Sequence, residues 1–181
     1  MARYAAFLRG INVGGHRITN DELRKACEVV GLEDVATFRA SGNVIFTAED
    51  GEDPGAIVDR IESGLGGTLG YEVPVFLRAA PEVAAIAGYQ PFPAKLVAAS
   101  AGKLQVSLLA AKPSARAKKT VLALADDEDR LAIRDRELYW LPSGGLLDSE
   151  LDQNAVEAAL GLSTRRTKGT IEQVAAKFFA D

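Results

Sequence analysis

Apolar positions recur along the chain with two different spacings. Residues 3–8, RYAAFL, form a short apolar run of the kind that makes a buried strand. Leu23, Ala26, Cys27 and Val30 then recur at helical spacing, and Gly31 stops that helix. Thr19 or Asn20 caps its start, with Glu22 completing a capping box if Thr19 is the cap. Residues 35–39 and 44–47 read as two strands joined by Ala40-Ser41-Gly42-Asn43, a sequence suited to a tight hairpin turn. Pro54 opens a second helix carrying Ile57, Ile61 and Leu65, and a cluster of glycines ends it. Residues 71–77 give a fourth strand, with Pro74 pointing to an edge or a bulge.

The resulting order, β-α-β-β-α-β, is the split βαβ plan of a ferredoxin-like sheet. Right-handed crossovers place its two helices on one face. Residues 1–80 are expected to form this first half. Residues 81–103 read as a connection, with one short helix over 81–87 and breaks at Pro91 and Pro93. The plan then restarts. Leu104, Val106 and Leu108 alternate along a strand, followed by a helix over 113–125 and a hairpin of 131–134 with 137–141. A helix over 152–160 ends at Gly161, and a last helix covers about 169–179. The expectation is an α+β chain of two ferredoxin-like halves, 1–80 and 104–181, with antiparallel sheets and helices on one face of each. The duplication rests on element order rather than on repeated residues.

Composition narrows the functional classes. The chain has 181 residues, 48% of them hydrophobic and 25% charged, as in ordinary globular proteins. No apolar run is long enough to span a bilayer, and Arg9 interrupts the N-terminal run before a signal-peptide core forms. A single cysteine, Cys27, excludes an internal disulfide and fits a reducing compartment, so the expected location is cytoplasmic. One Cys and one His cannot make a usual zinc site, and no metal or cofactor is expected. The net charge of −4 argues against a duplex-binding domain, and nucleic acid is not an expected partner. Charge is uneven, however: residues 1–20 hold Arg3, Arg9 and Arg17 and no acid.

Three segments could carry chemistry. The first is the loop after the first strand, where Gly10, Gly14 and Gly15 permit sharp turns and close approach of the backbone to a ligand. Arg9 and Asn12 supply charge and hydrogen bonds, and successive amides in such a loop can form an anion nest. It matches neither a P-loop nor a dinucleotide fingerprint, and it could equally be a plain connector. The second is Ser41-Gly42-Asn43, which suits a hairpin turn and lacks the surroundings of a nucleophilic serine. The third is a basic, hydroxyl-rich turn, Thr164 to Thr170, leading into the last helix. There Thr164, Arg166 and Thr170 could hold a phosphate or carboxylate, or Thr167 or Thr170 could simply cap the helix. His16 reads as an exposed loop residue, Cys27 as a buried structural thiol, and Asp126 to Asp129 as a solvated acidic turn.

RGINVGG at 9–15, SGNVIF at 41–46 and TRRTKGTI at 164–171 together resemble the DUF1697 family of uncharacterised bacterial proteins. The resemblance implies paired ferredoxin-like halves and no particular chemistry. Two departures stand out. Lys168 and Gly169 replace the family's frequent tryptophan and asparagine, and Gly145 to Asp148 replaces a basic stretch.

The functional expectation is therefore a small anionic metabolite, with phosphorylated ones among the candidates. It would be held by Arg9, Asn12, Gly14, Gly15, Ser41, Asn43, Thr164, Arg166 and Thr170, with the question of catalysis open. The alternative is an RNA-binding or protein-interaction module on the same scaffold.

Overall fold

A computed structural model describes residues 1–180. The chain divides into two compact units. One is Met1–Ala84 together with the chain from Val174, and the other is Ala85–Gln173.

The first unit runs β1 (Ala2–Leu8), α1 (Asn20–Val29), β2 (Glu33–Thr37), β3 (Asn43–Ala48), α2 (Pro54–Leu69) and β4 (Val75–Ala79). Its sheet has the order β2-β3-β1-β4, and every neighbouring pair is antiparallel. Each helical crossover skips one strand, as the split βαβ plan requires. Alternation along the strands sends Tyr4, Ala6 and Leu8 of β1, with Val44 and Phe46 of β3, to one core. There they meet Leu23, Ala26 and Cys27 of α1 and Ile57, Ile61 and Leu65 of α2. The other sheet face, with Ala5, Phe7, Ile45 and Phe76, is buried as well.

Local signals set the helix ends. Thr19 accepts from the Glu22 amide while Glu22 returns a bond to the Thr19 amide, a complete capping box. Asp53 caps α2 directly before Pro54, and Gly70 closes it in the left-handed region at φ 79°.

The stretch 81–103, expected to be a connection with one short helix, holds two: α3 (Ala80–Gly88) and α4 (Ala94–Ala99). The second is only six residues long and has no buried side chain, too short a span to display a helical period.

The second unit repeats the plan with β5 (Gln105–Leu109), α5 (Ala115–Leu122), β6 (Asp129–Arg134), β7 (Glu137–Pro142), α6 (Gln153–Leu160) and β8 (Ser163–Thr167). The strand order β6-β7-β5-β8 reproduces that of the first unit, again with antiparallel neighbours. Val121 of α5 and Val156 of α6 pack on Leu131, Leu138 and Trp140. Tyr139, next to Trp140, points to the opposite face and is equally buried. One expectation changes here. Thr164 to Thr170 is not a turn: residues 163–167 form strand β8 beside β5, and helix α7 (Lys168–Phe178) follows without a gap. The strand pattern is masked in sequence because its buried positions are Thr164 and Arg166 rather than apolar residues.

Candidate functional site

Two groups of the expected site residues are assembled, one in each unit. In the first unit, β1 ends at Leu8 and the chain enters the glycine loop. The Leu8 amide donates to the Gly42 carbonyl at 2.8 Å, and the Arg9 amide donates to the Pro74 carbonyl at 3.0 Å. Asn12 sits in the left-handed region at φ 58°, which asparagine tolerates better than most residues. Its side-chain Nδ2 donates to the Ala40 carbonyl at 3.0 Å, and its Oδ1 accepts from the Ile18 amide at 2.7 Å. The glycine loop is thereby tied to the β2–β3 hairpin. Gly42, at φ 80°, completes the join: a Cβ there would lie 3.0 Å from the Leu8 Cβ and 3.3 Å from the Ile11 Cβ. Asn43 is buried and donates to the Phe38 carbonyl and to Ser41 Oγ.

The loop beyond Asn12 is open. Gly14 and Gly15 have φ values of 57° and 88°, and residues 13–17 are exposed. Among the described residues, the amides of Asn12, Val13, Gly14, Gly15 and Arg17 meet no hydrogen-bond acceptor. Arg17 folds back so that its guanidinium donates to the carbonyls of Asn12 and His16, at 3.1 and 3.0 Å. It forms no ion pair among the described residues, so carbonyl dipoles hold its charge beside the free amides. His16 is exposed, as its sequence context suggests, and its ring stacks on Tyr71 with centroids 3.8 Å apart. Arg17 is the residue that motif reasoning passed over. The acid-free charge balance of residues 1–20 is the signal that carries it.

In the second unit, Thr164 and Arg166 are buried on the face of β8 that the sheet shares with Tyr139, opposite the helices. Arg166 donates to Thr164 Oγ1 at 2.9 Å and to the Arg165 carbonyl at 2.8 Å, and burial pushes its pKa down to about 10. Thr170 pairs with Thr167 through their hydroxyls at 2.9 Å, and its amide donates to the same Thr167 oxygen. Thr167 thus does the capping work at the start of α7. Lys168 is buried, bound to the Ala87 carbonyl and to Glu172. Arg165 lies over the Trp140 ring at 4.8 Å. Arg9, Asn12, Gly14, Gly15, Ser41 and Asn43 therefore belong to the first unit, and Thr164, Arg166 and Thr170 to the second.

The acidic segment 126–129 is not a plain solvated turn. Asp126 accepts from the amides of Glu128 and Asp129, while Asp129 is only 4% exposed. Asp129 Oδ1 accepts from Trp140 Nε1 at 2.8 Å and from Ser149 Oγ at 2.7 Å. Asp126, Glu128, Asp129 and Ser149 line a cavity of about 340 Å³ with Ser143, Gly144, Asp148 and Glu150. Among the described residues no three metal-binding side chains are grouped to hold an ion.

Two ferredoxin-like α+β halves, the first carrying a locked glycine loop, define the class of protein. The family model described as "Protein of unknown function (DUF1697)" matches residues 1–139, and the chain belongs to that family. The matched span contains the RGINVGG and SGNVIF stretches and ends before residues 164–171. Among solved structures, the conserved bacterial protein SP0830 from Streptococcus pneumoniae is similar in fold. Its TM-score is 0.73 at 22% identity, over 97% of each chain. A search of curated proteins gives no match. No helix among the described residues is long and apolar enough to cross a membrane.

Proposed function

We propose that the chain binds a small anionic metabolite, bearing phosphate or carboxylate, at the loop between β1 and α1. The observation that carries this reading is the run of exposed amides over Asn12–Gly15 and Arg17, with the Arg17 guanidinium held beside them. Amides and guanidinium are both donors, and an anion satisfies several at once. The Asn12 and Gly42 contacts hold the loop's base in place, so little ordering opposes binding there. Thr164, Arg166 and Thr170 are a second group of donors suited to the same ligand chemistry. Catalysis at such a site would rest on positioning and on stabilising negative charge.

A thermal-shift screen with inorganic phosphate, nucleotides, sugar phosphates and dicarboxylates tests the proposal. A true ligand at about 100 times its dissociation constant stabilises the native state by about 2.7 kcal/mol. The Arg17→Ala variant should lose most of that shift while its ligand-free melting temperature stays close to the parent value. No stabilisation by any anion, or an equal shift in the variant, would count against the loop as the site.

A further inference from the structure

We infer that the anion bound at the β1–α1 loop is a nucleotide, with its base stacked on the outer face of the His16 ring. The inference rests on the anion-binding reading of that loop and names the class of ligand. Val13 to His16 form a tight turn, in which the His16 amide donates to the Val13 carbonyl at 3.0 Å. Its two central residues, Gly14 and Gly15, both have positive φ, as a type I′ turn requires. A side chain at either position would be strained, although a Cβ there would meet nothing within 4 Å. The space beside the free Gly14 and Gly15 amides is therefore open. A turn of this kind brings its first and last residues within about 7 Å of each other. His16 thus stands at the foot of the turn whose tip carries those amides, and Arg17, next in the chain, supplies the guanidinium.

The His16 ring is anchored and yet exposed. It stacks on Tyr71 with the two planes 26° apart. Tyr71 packs in turn against the core of the first unit, directly after the Gly70 that closes α2. Its hydroxyl is buried without a hydrogen-bond partner, so ring contacts hold it in place. Tyr71 covers one face of the imidazole. Among the described residues no other ring or cation packs on His16, and its ring nitrogens make no hydrogen bond. The loop therefore presents a flat aromatic face that its own chain leaves unused. A nucleobase fits such a face, because every base has a π-surface of its own. The two features together select among anions. Inorganic phosphate, a sugar phosphate or a dicarboxylate engages the amides and Arg17 but leaves the ring idle. A nucleotide carries a phosphate and a flat base in one small molecule and engages both. Val13, 56% exposed, adds apolar surface at the other foot of the turn, from which a base gains and a bare phosphate does not.

Calorimetric titration of the intact chain with AMP, ribose 5-phosphate and inorganic phosphate tests the inference. AMP should bind about tenfold tighter than ribose 5-phosphate, which lacks the base. His16→Ala should abolish that preference and His16→Phe should keep it, since stacking needs the ring and not its charge. Arg17→Ala should weaken AMP and ribose 5-phosphate alike. His16 is the only histidine, so its ring-proton NMR signals report on the site directly. They should move upfield with AMP, under the ring current of the base, and not with ribose 5-phosphate. Equal affinity for AMP and ribose 5-phosphate would overturn the inference and leave the anion site standing. So would a preference for AMP that survives His16→Ala or is lost in His16→Phe. Absence of binding by all three compounds would remove the anion-binding reading itself, and this inference with it. His16 is exposed and its ring makes no hydrogen bond, so its variants keep the fold.

Discussion

Asn12 spends both ends of its side-chain amide on main-chain partners, Ala40 and Ile18. It therefore builds the loop rather than offering a free hand to a ligand, and the same holds for Asn43 with its bonds to Phe38 and Ser41. The donors left open to a ligand are backbone amides and Arg17. Cys27 is the other residue with a sharp consequence. It is fully buried, and burial pushes its thiol up to about 12 from the ordinary 9.0. Above pH 9 the unfolded thiol loses its proton while the folded one keeps it. The folded state then binds more protons, so stability falls as pH rises from about 9 towards 12. Native protein at pH 8 to about 9 should react with iodoacetamide only as fast as it unfolds, and Cys27→Ala should flatten the alkaline loss of stability. Rapid alkylation of the folded chain would contradict the assignment. The burial of Cys27 is legible in the sequence, since it shares a helical face with Leu23, Ala26 and Val30. Nothing in the pattern marks Arg78, which is fully buried on β4, because an arginine in a strand normally signals the exposed side.

Among the elements, α1 and α2 approach closely where Gly64 meets Val30. A Cβ on Gly64 would run into the Val30 side chain, whose Cβ branching leaves it little room to turn away. Gly67 lies in the same helix with nothing near the corresponding position. The two glycines should answer oppositely to alanine. Gly67→Ala should gain about 0.5 to 1 kcal/mol through helix propensity, and Gly64→Ala should lose about 1 kcal/mol or more through overpacking. Urea denaturation of both variants decides this, and stabilisation by Gly64→Ala would disprove the close approach. Elements with clean periods, such as β1, α1 and α2, could be read in advance because one face of each is apolar. Strand β8 could not, since Thr164 and Arg166 occupy its buried positions and the residues imitate a polar turn. Helix α4 escaped for a different reason, being shorter than two helical turns.

At the scale of the whole molecule, two units share one strand order but differ in what they carry. The first has the locked glycine loop, the second a buried arginine on an edge strand and an acidic cavity. Element order alone was enough to expect the duplication, because the split βαβ plan fixes which strands become neighbours. The grouping of side chains was less accessible. The link between residues 12 and 40 arises from a left-handed asparagine and a glycine with no room for a Cβ, features of backbone geometry rather than of pattern. The most direct test of anion binding follows backbone amides by NMR during titration with inorganic phosphate and a nucleotide. The account predicts the largest shifts at the amides of Asn12, Gly14, Gly15 and Arg17. Saturating shifts confined to residues outside this loop, or none at all, would contradict it.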